Sequence, residues 1–123
     1  MKRIISLGAA AAMLSVTAAP AVAQTAPPPA FAACKACHTV DKGGRNGVGP
    51  NLNGVVGRPA AAVPGFNYSN AMKASKLRWD EATLDQFLAA PTKKVPGTRM
   101  PIGMADPAKR KAIIAFLKAQ GGK

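Results

Sequence analysis

"CKACH", residues 34–38, contains both cysteines and the single histidine of this 123-residue chain. Two residues separate the sulfurs, and the imidazole follows the second sulfur directly. Three chemistries fit such a cluster: a redox-active dithiol, part of a metal site, or covalent attachment of a haem.

The rest of the chain separates them. A C-x-x-C oxidoreductase sets its cysteines at the start of a helix in a strand-rich frame, and no alternating strand pattern occurs here. Structural zinc and iron–sulfur sites need four ligands, whereas two thiols and one imidazole are on offer. A structural disulfide between Cys34 and Cys37 would close too small a ring to constrain the unfolded chain. C-x-x-C-H is complete in itself: the two thiols can add to haem vinyl groups, and His38 can reach the iron from one face. With no other histidine, a thioether is the natural soft donor for the second face. Met72 falls in a short helical pattern and reads as packing. Met100, before Pro101, and Met104, between Gly103 and Ala105, both fall in a Pro/Gly loop. Position alone leans toward Met100 without deciding.

Upstream of the cluster, residues 1–23 have Lys2 and Arg3, a largely apolar run from Ile4 to Ala19, then Pro20 and Ala21-Val22-Ala23. This is the layout of a cleaved signal peptide. The run falls short of the roughly 20 apolar residues that span a bilayer, so an uncleaved anchor is disfavoured. Export to a periplasm is expected, leaving residues 24–123 as one small domain. Removing Lys2 and Arg3 from the 17 basic residues leaves 15 against 5 acids, a net charge of +10. Export argues against nucleic acid as the partner of that charge, while transient contact with a membrane surface stays open. All six aromatic residues lie after the leader, and a domain so rich in Gly and Pro buries little apolar surface of its own.

Downstream, residues 39–64 form a Gly/Asn/Pro-rich stretch read as a long loop. Pro29 suits the first position of a short helix running toward His38. Ser69 or Asn70 can cap another. "WDEATLDQFLAAP", residues 79–91, predicts a helix capped by Asp80, with Leu84, Phe87 and Leu88 on one face and Pro91 as its stop. Residues 92–107 read as a second loop. Asp106-Pro107 opens a last helix whose stripe is Ile113, Phe116 and Leu117, ended by Gly121-Gly122. The expected class is all-α, a few helices and long loops wrapped around one group. Gly47, Gly49, Gly54 and Gly57 suit tight turns, and a phosphate cradle lacks its strand–helix context.

"FAACKACHTV", "GVGPNLNGVVGR", "GFNYSNAMK", "LRWDEATLDQFLAAPTKKVPGTRMP" and "KAIIAFLK" occur in an order and spacing that resemble the class I c-type cytochromes, closest to the soluble bacterial and mitochondrial-type electron carriers. The resemblance covers nearly all of residues 30–120. It implies one covalent haem c with its iron, Cys34 and Cys37 as thioether attachments, and His38 and Met100 as axial ligands. It further implies that the Pro50 carbonyl accepts the Nδ1 proton of His38 and that Leu52 packs on the haem. Arg58, Tyr68 and Trp79 resemble the group that hydrogen-bonds the haem propionates, and Thr98 the residue supporting the methionine side. Three features depart from the pattern. Phe87 stands where many relatives carry tyrosine, and Met72 replaces a polar residue. The stretch before Cys34 is short, which leads to the expectation of a weakened packing of Phe31 on Phe116.

With both axial positions filled, oxygen and peroxide have no open site on the metal, so a non-enzymatic one-electron carrier is expected. The resemblance implies a monomer that docks on acidic surfaces of redox proteins, such as a cytochrome bc-type complex, a terminal oxidase or a periplasmic dehydrogenase. Lys35, Lys42, Arg45, Lys93, Lys94 and Arg99 lie near the haem motifs in sequence and suit a positive docking rim. Two other readings remain open. One is a haem enzyme or sensor with labile methionine ligation, which a missing or easily lost far-red sulfur-to-iron absorption band would reveal. The other is a dedicated electron-accepting subunit of one dehydrogenase, which would co-purify with its partner.

Overall fold

The computed structural model describes Gly8, residues 11–18 and residues 26–121. Among the described residues all regular structure is helical, apart from one isolated antiparallel bridge between Pro59 and Arg78. The expected all-α class and the long interhelical loops are both seen. The cleavage site expected at Ala21-Val22-Ala23 lies outside the described residues. Of the apolar run before it, residues 11–18 carry no regular structure and are exposed.

A 3-10 turn, Pro29–Phe31, runs straight into α1, Ala32–Lys35. Pro29 takes the first position, where its missing N–H costs nothing. The element is short, as expected, but the anticipated weakening of its contact with the last helix is not found. Phe31 is fully buried, its ring centroid 4.8 Å from that of Phe116. One aromatic side chain suffices for this contact, and the local backbone fixes where it points. The Phe31 N–H donates to the Pro28 carbonyl at 2.9 Å, and Pro29 restricts the turn between them.

Three later helices begin on the side-chain caps that the sequence offers. In α2, Asn70–Ala74, the Ser69 hydroxyl accepts from the Met72 N–H at 3.0 Å. In α3, Glu81–Ala89, Asp80 accepts from the Thr83 N–H at 2.7 Å. That backbone hydrogen bond holds the Asp80 carboxyl below the usual carboxylate range. The last helix, α5, spans Pro107–Gln120, and Asp106 accepts from the N–H groups of Ala108 and Lys109. Its inward stripe is Ile113, Ile114, Phe116 and Leu117.

Pro91 does more than stop α3, and residues 92–94 are not loop as the sequence had suggested. With Pro91 they form α4, Pro91–Lys94. Pro91 forces Ala90 out of helical geometry, to φ −154° and ψ 82°. Its own fixed φ then starts a new helical turn, and the Val95 N–H reaches the Pro91 carbonyl at 2.9 Å.

The long loop after His38 is held by side-chain amides. The Asn51 Nδ2 donates to Thr39 Oγ1 at 2.8 Å and to the Asp41 carbonyl at 2.9 Å. The Asn53 Nδ2 donates to the carbonyls of Val40, at 3.0 Å, and of Gln120, at 2.9 Å. Gln120 is the last residue of α5, so the loop is pinned to the far end of the chain. Farther on, the Ala60 and Trp79 N–H groups pair with the Leu77 and Arg58 carbonyls across the Pro59–Arg78 bridge.

Phe31, α3 and α5 meet in a core that also takes in Trp79, whose ring lies 5.0 Å from that of Phe87. Much of this core is a shell. Phe31, Leu84, Leu88, Ile113 and Leu117 each present part of their surface to one interior cavity.

Two substitutions separate core packing from surface pairing. Phe31→Ala is expected to destabilise the holoprotein by about 3–5 kcal/mol, the range for a buried aromatic. Lys118→Ala breaks a 3.3 Å ion pair with Glu81 whose side chains are 53% and 57% exposed, and is expected to cost below about 0.5 kcal/mol. Denaturant unfolding of both variants checks the contrast.

Candidate functional site

The cavity has a volume of about 520 Å³ and a largely apolar lining. That is inside the range of about 300–1,000 Å³ usual for cofactor sites. All ten residues singled out from the sequence border it: Cys34, Cys37, His38, Pro50 and Leu52, then Arg58, Tyr68, Trp79, Thr98 and Met100.

The backbone places the first group. The N–H groups of Cys37 and His38 both donate to the Cys34 carbonyl, at 3.1 and 2.9 Å. This turn brings both thiols and the imidazole to the cavity together. Burial raises the Cys34 thiol pKa, and the neighbouring Cys37 adds to the shift. The His38 Nδ1 pairs with the Pro50 carbonyl at 2.7 Å, so Nδ1 carries the proton as donor and Nε2 is left free for a metal. Burial lowers the His38 pKa and the Pro50 contact partly opposes it. Both the burial and the Pro50 acceptor suit a ring protonated at Nδ1 alone, the form that ligates through Nε2.

Gly49 is the residue whose role here the sequence did not reveal. A Cβ on Gly49 would fall on the His38 ring, reaching Nδ1 at 2.6 Å. Its N–H meanwhile donates to the Cys37 carbonyl at 2.8 Å. A Cβ on Gly47 would come within 3.0 Å of that same carbonyl. These two glycines permit close approach as well as the tight turn expected of them, in which the Gly47 N–H donates to the Gly49 carbonyl at 2.9 Å. Gly54 and Gly57, at φ 71° and 87°, do take the left-handed conformation. The only sequence signal for Gly49 was its place directly before Pro50.

Met100 lies in the loop between α4 and α5. The Thr98 N–H donates to the Val95 carbonyl at 3.0 Å, and the Met100 N–H to Thr98 Oγ1 at 3.3 Å. Arg99 Nη1 donates to the Asn67 carbonyl at 2.8 Å. Met72 and Met104 also border the cavity, so all three candidate thioethers reach it. Val48 and Ile102, which the sequence did not mark, border it too while 81% and 62% exposed. Both sit in Gly/Pro loops without periodicity, so no pattern distinguished them.

Arg58 is the charged group of the lining that has a buried donor left over. Its Nη1 and Nη2 donate to the Asn53 and Asn51 carbonyls at 3.1 and 3.2 Å. Its Nε is buried without a partner among the described residues. Burial pulls the guanidinium pKa down, and the Tyr68 hydroxyl works against that shift. A half-buried cation with a buried, unused donor calls for an anion. The Tyr68 hydroxyl accepts from the Val63 N–H at 3.1 Å and keeps its own proton to donate. Trp79 is buried against Phe87.

These residues fit a haem. There are two thiols to attach it, one imidazole and several thioethers to ligate iron, and an apolar lining. The cation carries a spare donor for a carboxylate. The comparisons with known proteins agree. The family model described as cytochrome c matches residues 29–120. Cytochrome c2 of Rhodomicrobium vannielii is 52% identical over 94 residues, covering 76% of this chain and 75% of that protein. Cytochrome c2 of Rhodoblastus acidophilus is 50% identical over 97 residues, covering 76% and 91%. Among solved structures, cytochrome cH from Methylobacterium extorquens superimposes with a TM-score of 0.67 at 55% identity, covering 72% of this chain and 90% of that one. The chain belongs to the cytochrome c family and has its small helical fold, built to carry a covalent haem c with its iron in electron transfer.

Proposed function

We propose that this chain is an exported, periplasmic one-electron carrier with His38 and Met100 as axial ligands of its haem, and that it is not an enzyme. One observation carries the reading. His38, oriented through Nδ1 by the Pro50 carbonyl, and Met100, from a separate loop, border one largely apolar cavity. Both relatives named cytochrome c2 support it through their likeness.

The haem supplies a ferric/ferrous couple that takes or gives one electron at a time. The protein's task is to hold that couple still and set its poise. The Pro50 carbonyl fixes the imidazole plane and strengthens its donation. A thioether from Met100 favours the reduced state, as does a dry apolar surround that penalises extra charge. Cys34 and Cys37 would hold it covalently, so the group would not be lost between partners. Arg58, Tyr68 and Trp79 would receive the carboxylates, with the Arg58 Nε and the Tyr68 hydroxyl as available donors.

The partners we infer are acidic docking surfaces on a cytochrome bc-type complex, a terminal oxidase or a periplasmic dehydrogenase, met by the protein as a monomer. Lys35, Lys42, Arg45, Lys93 and Arg99 are exposed. Lys94 is half-buried and donates to Gln86 Oε1 at 2.6 Å, so it contributes least to such a rim.

Intact mass and a visible spectrum of the periplasmic protein test the reading. The expected product lacks residues 1–23, carries one haem, and in the ferric state shows the far-red sulfur-to-iron band. Met100→Ala removes that band and Met104→Ala leaves it; the reverse pattern would assign the ligand to Met104. A colourless protein with free thiols would end the proposal. The association rate with an acidic redox partner is expected to fall by about tenfold or more as ionic strength rises from about 0.01 to 0.15 M, since the screening length shortens from about 30 to 8 Å. Stopped-flow electron transfer across that range checks it, and a flat response would remove the basic rim from the mechanism.

A further inference from the structure

The loop that carries Met100 is fastened by a side chain that none of the site chemistry above uses. Arg110 lies on the first turns of α5, and its side chain is only 11% exposed. Its Nε donates to Asp85 Oδ1 on α3 at 2.7 Å. Its Nη1 donates to two loop carbonyls, Met104 at 3.0 Å and Ala105 at 2.8 Å. One planar fork thus joins α3, α5 and the segment just after Met100. Lysine could not do the same, because it offers a single nitrogen without the fork geometry.

The loop has few other holds on that side. The Met104 N–H donates to the Leu88 carbonyl at 2.7 Å. Gly103 is pressed so close to α3 that a Cβ would meet the Leu88 carbonyl at 3.0 Å. Between Met100 and Gly103 the loop residues Pro101 and Ile102 are exposed.

We propose that Arg110 is the positioning residue of the methionine loop, tying the carbonyls of Met104 and Ala105 to Asp85 and so keeping Met100 at the cavity. This rests on the reading of Met100 as an axial ligand. Arg110 is not among the residues that line the cavity; it acts by holding the downstream end of the loop closed. Loss of the fork raises the population in which the loop opens locally and Met100 leaves. The rest of the fold tolerates that loss. Asp85 is 43% exposed and is rehydrated when its partner goes, so no orphaned buried charge remains to unfold the domain.

The test uses the ferric holoprotein, imidazole as a competing ligand, and the far-red band as a second readout. Arg110→Ala is expected to tighten imidazole binding by about tenfold or more and to weaken the band, in line with losing several charge-assisted hydrogen bonds. Arg110→Lys recovers part of both. Ile114→Ala destabilises the same helix from a buried position that is not among the cavity-lining residues, and is expected to leave imidazole affinity and band at wild-type values. Wild-type imidazole affinity in Arg110→Ala overturns the proposal, as does an equal change in Ile114→Ala, which would mark general loosening. If the wild-type protein lacks the band before any change at Arg110, the Met100 reading has failed, and the proposal falls with it for that separate reason.

Discussion

The His38 imidazole has two nitrogens, and the fold commits one of them to the Pro50 carbonyl at 2.7 Å. That contact decides which nitrogen faces the cavity and keeps the ring from rotating, so the geometry of the site rests on where the Pro50 carbonyl stands. The loop is braced on either side of it. The Asn51 N–H donates to Asn46 Oδ1 at 2.9 Å, and the Leu52 N–H to the Thr39 carbonyl at 2.8 Å. Asn53 then carries the restraint to the end of α5 through Gln120. A carbonyl fixed by so many bonds is a stiff acceptor, and stiffness in the partner becomes stiffness in the ligand.

The methionine side is built on another plan. Its loop takes its fixed points from neighbours: the Asn67 carbonyl holds Arg99, the Leu88 carbonyl holds the Met104 N–H, and Arg110 holds the carbonyls of Met104 and Ala105. Prolines at 96 and 101 stiffen it without adding donors. Local opening favours segments with few buried contacts. On the proposed reading, with His38 and Met100 as ligands, exchange would begin at the thioether and not at the imidazole, whose partner loop is braced more firmly.

Much of this was legible in the sequence because it rests on local rules. Ser69, Asp80 and Asp106 cap helices by bonding N–H groups two or three residues ahead, and such spacing is visible in a string of residues. The C-x-x-C-H unit is local for the same reason. The features that could not be read depend on approach between distant segments. Gly49 matters only because the His38 ring lies against it. Phe31 keeps its full contact with Phe116 because a proline-set turn aims it, although the helix is short. Residues 92–94 looked like loop because Pro91 reads as a stop, yet the same ring that ends α3 begins α4. Arg110 stands between Lys109 and Lys111 in the sequence, and only the fold shows that of the three it alone is not exposed.

The charge of the protein divides along the same line between surface and interior. Most of its cations are exposed and individually replaceable, and their joint effect is long-range and screened by salt. Arg58 is of another kind. It is half-buried, bound to two backbone carbonyls, with a third donor unused. Carbonyl dipoles soften a buried cation without neutralising it. On the proposed reading, a covalently held group bearing carboxylates would meet that charge, and Arg58 would contribute to the choice of ligand as well as to its orientation. An uncharged porphyrin would satisfy the sulfurs, the imidazole and the apolar lining, and would still leave Arg58 unmatched.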